Sequence, residues 1–314
     1  MVNSRHELCD KNLVFLGVTS VLVRFSFLLL LVCSYHCSAA ETKHYVVEAR
    51  IADNHYITNL LRLILNASKA PDEVIDLKFN KLYDLQLSHS RRLAEFSKLQ
   101  GNVVMWTVTN KDREAFLRPI RVPIFKGLFG YRCLVIRKAD QAKFAAIKTQ
   151  RDLAMLAAGQ GEQWPDTGVL RANGFSVVTG TQTENLYKML AAKRFDYFPR
   201  ALVEINSELE FINTYNLMIE PNIMLEYPNP LYFFVQQTNT ELAERMERGW
   251  KIILANGSFD ELFFKQQKVK DALFKWLPHV RYIAHLKTPD LPEDTPLQEL
   301  QQWFRLSSSY NLPP

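Results

Sequence analysis

Glycine is scarce in this sequence. The 314-residue chain holds 11 glycines, about half the usual share of roughly 7%. Neither G-x-x-x-x-G-K-[ST] nor G-x-G-x-x-G occurs, which excludes the two common glycine-built nucleotide cradles. Cysteine is scarcer. Of four, Cys9, Cys33 and Cys37 fall in the first forty residues, so Cys133 stands alone beyond them. No disulfide and no cysteine-built zinc site is expected there. His44, His55, His89, His279 and His285 lie far apart without an H-E-x-x-H pattern, and they read as surface or locally bonded histidines. No G-x-S-x-G elbow is present. The carboxylate pairs Glu208/Glu210 and Glu241/Glu244 read as solvated charges. No metal, cofactor or catalytic constellation is expected, so the chain is not read as an enzyme. A dominant charge is missing too. Lys+Arg 38 against Asp+Glu 33 leaves +5, scattered rather than clustered, which argues against nucleic acid.

What is present is globular. Hydrophobic residues make up 47% and charged residues 23%, the balance of a folded chain with room for a large core. The first forty residues differ from the rest. Arg24 precedes the apolar run Phe25–Val32, and Ser38-Ala39-Ala40 follows. This is the order of a secretory signal, with cleavage expected after Ala40 and a periplasmic destination. The competing reading is an uncleaved anchor that also uses Leu13–Val23. Arg24 interrupts that longer stretch, whereas a membrane helix needs about 20 continuous apolar residues.

Beyond residue 40, strands alternate with helices. Ile57, Leu60, Leu61 and Ile64 form one helical stripe. Strands are expected over Val74–Phe79, Asn102–Thr109, Tyr131–Arg137, Phe195–Phe198 and Leu231–Val235. Helices are expected over Ser88–Leu99 and after two capping boxes, Thr181-x-x-Glu184 and Thr238-x-x-Glu241. The pattern predicts an α/β fold with mostly parallel sheets flanked by helices.

Several local signatures then follow one another in a telling order. Trp106–Arg113 (WTVTNKDR) is a strand end, a turn and an arginine. Arg151-Asp152-Leu153 leads into Leu156–Gly161, and a helix ends at Gly174. Met189–Asp196 (MLAAKRFD) precedes Tyr227–Val235 (YPNPLYFFV), and the series closes on Asn256-Gly257-Ser258-Phe259. This series resembles the family 3 extracytoplasmic solute-binding proteins over residues 42 to 265. The resemblance implies a type II two-lobed periplasmic-binding-protein fold with two hinge crossings. Lobe 1 would take 41–131 plus 232–314 and lobe 2 would take 132–231, with a small-molecule ligand in the cleft. It implies a monomer that serves a membrane permease of the ABC type or a membrane sensor. A periplasmic enzyme on the same scaffold, or a regulatory module acting in trans on a receptor, is the alternative.

The resemblance also places the site. Trp106, Thr107, Thr109 and Arg113 would contribute from lobe 1, and Gly161, Trp164, Asp166, Thr167, Arg200 and Glu204 from lobe 2. The sequence departs from the family pattern at three points. The loop after the first strand is short, since Glu48–Asn54 runs almost directly into a helix. Arg113 stands four residues after Thr109 where the family spacing is three. Ala201 replaces the aspartate that meets a ligand ammonium in amino-acid binders. A guanidinium fork suits a carboxylate, so a small polar, anionic ligand is expected. The bland alternatives are an Arg113 paired with Asp112 or Glu114 at the surface, and an Asp166 that merely caps its helix.

Overall fold

The computed structural model describes residues 41–48, 55–80, 89–299 and 301–304. The expected signal segment, the first loop that was expected to be short, and the end of the chain lie outside the described residues. By their contacts the residues fall into two units, a small one that includes Glu41–Lys43 and Ala70–Val74, and a large one formed by His44–Lys69 and the chain from Ile75 on. The candidate site lies wholly in the large unit.

Two sheets organise the chain. The first has the order β2-β1-β3-β10-β4, built from β1 (Glu41–Glu48), β2 (Glu73–Asn80), β3 (Val103–Val108), β4 (Leu117–Ile120) and β10 (Leu231–Gln236). The second has the order β11-β9-β5-β8-β6-β7. Its strands are β5 (Tyr131–Arg137), β6 (Ala157–Gly161), β7 (Ser176–Gly180), β8 (Tyr197–Ala201), β9 (Leu217–Glu226) and β11 (Tyr282–His285). The apolar runs read from the sequence are strands covered on both faces. Val104 and Val108 of β3 pack into one core while Val103 and Met105 pack into another. Phe233 and Val235 of β10 divide from Tyr232 and Phe234 in the same way. Side chains alternate across a strand, so a strand clothed by helices on both faces carries no polar side.

The sheets are mixed rather than mostly parallel. β1 runs parallel to β3, and β6 runs parallel to β7 and β8. β10, however, is antiparallel to β3 and β4, and β5 is antiparallel to β8 and β9. The cause is the connectivity: β5 and β10 carry the chain from one sheet to the other and enter against the direction of their neighbours. The two crossings, 121–130 and 227–230, touch at Gly130. The Tyr227 N–H donates to the Gly130 carbonyl at 3.2 Å, and a Cβ at Gly130 would lie 2.2 Å from the Tyr227 carbonyl oxygen. Only glycine allows that approach.

Neither expected capping box forms. Helix Thr183–Ala191 has Gln182 at its N-cap without a side-chain bond, and Glu184 instead pairs with Lys188 at 2.8 Å. Helix Thr240–Ala255 is capped one residue later than expected, by Asn239, whose Oδ1 accepts from the Leu242 N–H at 3.0 Å. The reciprocal box occurs at Thr149 and Asp152, which opens helix Gln150–Ala154.

The C-terminal part also differs from expectation. Residues 232–314 were assigned as a whole to lobe 1, but β11 pairs parallel to β9 in the second sheet. The chain then returns toward the first sheet. Thr288 Oγ1 donates to the Pro228 carbonyl at 2.9 Å, the Lys111 N–H donates to the Asp290 carbonyl at 3.1 Å, and the Phe304 N–H donates to the Lys126 carbonyl at 2.6 Å.

Candidate functional site

Where the ends of β3, β5 and β8 meet, they enclose a cavity of about 360 Å³. β3 supplies Trp106 and Thr107. The chain then turns through a short helix, Lys111–Glu114, which Asn110 caps by accepting from the Arg113 N–H at 3.0 Å. That turn sends the Arg113 side chain back over the strand end. Its Nη1 donates to Thr107 Oγ1 at 3.0 Å and also to the Val108 carbonyl. Arg113 is 6% exposed and makes no ion pair among the described residues. Glu114, adjacent in sequence, is taken by Arg121 at 2.5 Å and accepts the Thr109 hydroxyl. Burial pushes the Arg113 pKa down to about 10 against some support from Asp166, and Arg92 lowers it further. The group is still charged at neutral pH.

The other two buried arginines of the cavity are neutralised from within. Arg132 of β5 meets Asp166 at 2.6 Å, and Asp166 also accepts the Tyr227 hydroxyl at 2.6 Å. The Phe129 ring lies 4.7 Å from the Arg132 guanidinium. Arg200 of β8 grips Glu208 with both ends of its fork, Nε donating at 2.7 Å, and Glu204 stands 3.3 Å away. Burial opposes the charge of both arginines, yet their carboxylates outweigh it and both pKa values are raised. Trp164 stacks 4.9 Å from the Arg200 guanidinium. Four arginines (Arg92, Arg113, Arg132, Arg200) against three acids (Asp166, Glu204, Glu208) line the cavity. Two of the cations are held by internal acids, and Arg113 is not.

Of the ten residues expected at the site, Trp106, Thr107, Arg113, Trp164, Asp166, Arg200 and Glu204 line this cavity. The other three stand behind it. The Thr109 hydroxyl is spent on Glu114. Thr167 Oγ1 donates to the Gly161 carbonyl at 2.7 Å, and a Cβ at Gly161 would come within 2.2 Å of the Trp164 ring, so this pair seats Trp164. Asp166 is no helix cap. Trp164 holds the N-cap position of helix Pro165–Ala172, and the Asp166 carboxylate faces Arg132 and Tyr227 instead. Arg200 does not offer a free fork, because Glu208 occupies it.

No family model and no curated protein matches the sequence. Among solved structures, the chain is similar to a probable amino-acid ABC transporter extracellular-binding protein from Bacillus subtilis. Identity is 14%, the match covers 73% of this chain and 98% of that one, and the TM-score is 0.52. It is also similar to a histidine kinase sensor domain described as resembling periplasmic binding proteins, at 14% identity, 73% and 97% coverage, and a TM-score of 0.50. The fold is that of the two-lobed periplasmic binding proteins.

Within this periplasmic-binding-protein fold, two site residues escaped the sequence reading. Glu208 had been read as a solvated charge but is buried against Arg200 and the Tyr187 hydroxyl, the latter at 2.5 Å. Nothing local marks it. Arg132 did carry a signal, since a charge inside the apolar strand YRCLVIR needs a partner when buried. No helix among the described residues is long and apolar enough to cross a membrane, and no cluster there is suited to hold a metal.

A second, larger cavity of about 850 Å³ adjoins the first and shares Trp106, Phe129, Glu204 and Leu231 with it. His55 lines it at the N-cap of helix Tyr56–Ala67, its Nδ1 accepting from the Ile57 N–H at 3.3 Å. That bond needs a neutral ring. Burial, with the nearby Lys268 ammonium adding to it, lowers the His55 pKa from 6.5 to about 4. The stabilisation from a neutral His55 is complete above pH 6.5 and is lost as pH falls toward 4. His55→Asn keeps a cap without a titrating ring. Between pH 6.5 and 4, its denaturant midpoint is expected to fall less than that of the parent protein. Equal losses in the two proteins would show that His55 does not carry the effect.

Proposed function

We propose that this chain is an exported solute-binding protein that captures a small polar molecule bearing a carboxylate or similar anion in the cleft between its lobes. The observation that carries this reading is Arg113. It is a buried, charged guanidinium beside a cavity, oriented by Thr107 and Val108 and left without an anion. A buried charge is costly unless paired, and a ligand carboxylate offers the bidentate partner that a guanidinium fork matches. Cleavage after Ala40 and a place outside the cytoplasmic membrane agree with this role, as does closure about the two crossings. The cleft would then report ligand to a membrane permease or sensor. Binding without turnover is the expected chemistry, because the acids lining the cavity are already engaged with arginines.

The test is a thermal-shift screen of the chain from Glu41 onward against carboxylates, amino acids, amines and sugars. A ligand at 100 times its Kd adds about 2.7 kcal/mol to stability. The strongest shift is expected from a carboxylate. A cationic or uncharged molecule as the best hit would overturn the anionic reading.

A further inference from the structure

The second cavity holds another cation without a carboxylate of its own. Lys268 rises from helix Gln267–Lys270, and its ammonium lies 5.3 Å from the Phe125 ring centroid and 5.9 Å from that of Tyr56. That ammonium makes no hydrogen bond or ion pair among the described residues, while the chamber's other lysine, Lys275, lies over the Trp276 ring. Burial pushes the Lys268 pKa down, with Glu204 opposing. The two acids of this chamber are committed elsewhere: Glu204 leans on Arg200, and Asp271 accepts from the Asn206 and Gln267 side-chain amides. Much of the remaining wall is apolar, with Ile57, Phe125, Val203 and Leu209 facing the space. A ligand confined to the first cavity would leave these walls to water, whereas ligand pockets gain most from apolar surface with a few placed polar anchors.

We infer that the ligand spans both chambers. It is an elongated dicarboxylic acid of about dipeptide size, with one anionic end on Arg113, an aromatic or branched apolar body against Trp106 and Phe129, and the second anionic end at Lys268. The inference rests on the reading of Arg113 as an anion anchor and adds the length, the apolar body and the second charge. The shared wall of Trp106, Phe129, Glu204 and Leu231 sets the two cavities side by side. Arg113 in one cavity and Lys268 in the other set the charge pattern that fits, and an ammonium beside aromatic rings with no carboxylate bound to it is available to an anion.

Calorimetry with three probes tests this: succinate, N-acetyl-L-phenylalanine and N-succinyl-L-phenylalanine, the last carrying a carboxylate at each end of an aromatic body. N-succinyl-L-phenylalanine is expected to bind at least about tenfold tighter than either other probe, each tenfold being about 1.4 kcal/mol. Lys268→Met is expected to erase that advantage while leaving N-acetyl-L-phenylalanine unchanged, and Lys268→Arg, which keeps the cation, to retain it. Arg113→Met is expected to weaken all three probes. Undiminished binding of N-succinyl-L-phenylalanine by Lys268→Met, succinate as the tightest probe, or no binding of any probe at millimolar concentration would each overturn the two-chamber ligand. Full binding by Arg113→Met would instead overturn the anion anchor itself.

Discussion

Arg113→Ala is expected to weaken binding of the screened carboxylate by about 2–5 kcal/mol, which is roughly 30- to several-thousand-fold in Kd. The range is that of a buried charge whose partner is truncated. A surface arginine would cost well under about 1 kcal/mol. The same change is expected to spare the unliganded protein. Arg113 makes two hydrogen bonds to Thr107 and Val108 but no ion pair, so the desolvation of its charge is only partly offset in the empty cleft. Folding stability should therefore fall by no more than about 1 kcal/mol, or rise. Calorimetry and urea unfolding read the two effects separately. A variant that binds normally but unfolds easily would assign Arg113 to the framework instead.

Glu208→Ala is expected to have the opposite signature, a loss of about 3–5 kcal/mol in stability. Glu208 is buried, receives both ends of the Arg200 fork and accepts the Tyr187 hydroxyl. Removing it strands a buried guanidinium whose remaining neighbour, Glu204, is 3.3 Å away and partly exposed. The double change Arg200→Met with Glu208→Leu removes both charges together and is expected to cost less than Glu208→Ala alone. Urea unfolding of the three proteins decides. Equal stability of Glu208→Ala and the parent would show that the pair contributes nothing to folding.

These two residues also show where sequence reading succeeds and stops. β3, β5 and β10 were legible because a strand buried on both faces must be apolar throughout, and their runs contain almost nothing else. Arg113 was singled out by the family resemblance, which places an arginine just beyond this strand end, and only the structure excludes its surface pairing with Asp112 or Glu114. Helix starts were less legible. A capping box asks for two residues at one spacing, and Thr181 and Thr238 offered that spacing one or two positions before the backbone turned helical. Glu204 beside Arg200 was legible from their spacing, but Glu208 as the main partner of Arg200 and Asp166 as the partner of Arg132 were not. Asp166 lies 34 positions after Arg132, and only tertiary packing brings helix Pro165–Ala172 to the end of β5. Antiparallel entry of β5 and β10 was hidden for the same reason, since direction in a sheet belongs to the connection and not to the strand.

The returning C-terminal segment bears on how the proposed ligand binding would move the lobes. Two lobes joined by a pair of strands can rock through a wide arc, and much of their unliganded population then sits in conformations that cannot bind. Here a further passage reaches the second sheet through β11, and the chain then comes back past the crossings. Thr288 is fastened to Pro228 beside the hinge, Lys287 to Asn173 on one side, and Asp290 and Asp294 to Lys111 and Arg121 on the other. If the cleft opens and closes as proposed, each fastening must survive or break on the way, which would narrow the arc. Were the tethers to hold the lobes near the binding-competent arrangement, apparent affinity would approach the intrinsic affinity of the pocket, because little would be lost to populating a rare closed form. A membrane partner would read a small displacement with a steep restoring force, and it would discriminate ligands by fit more than by amplitude.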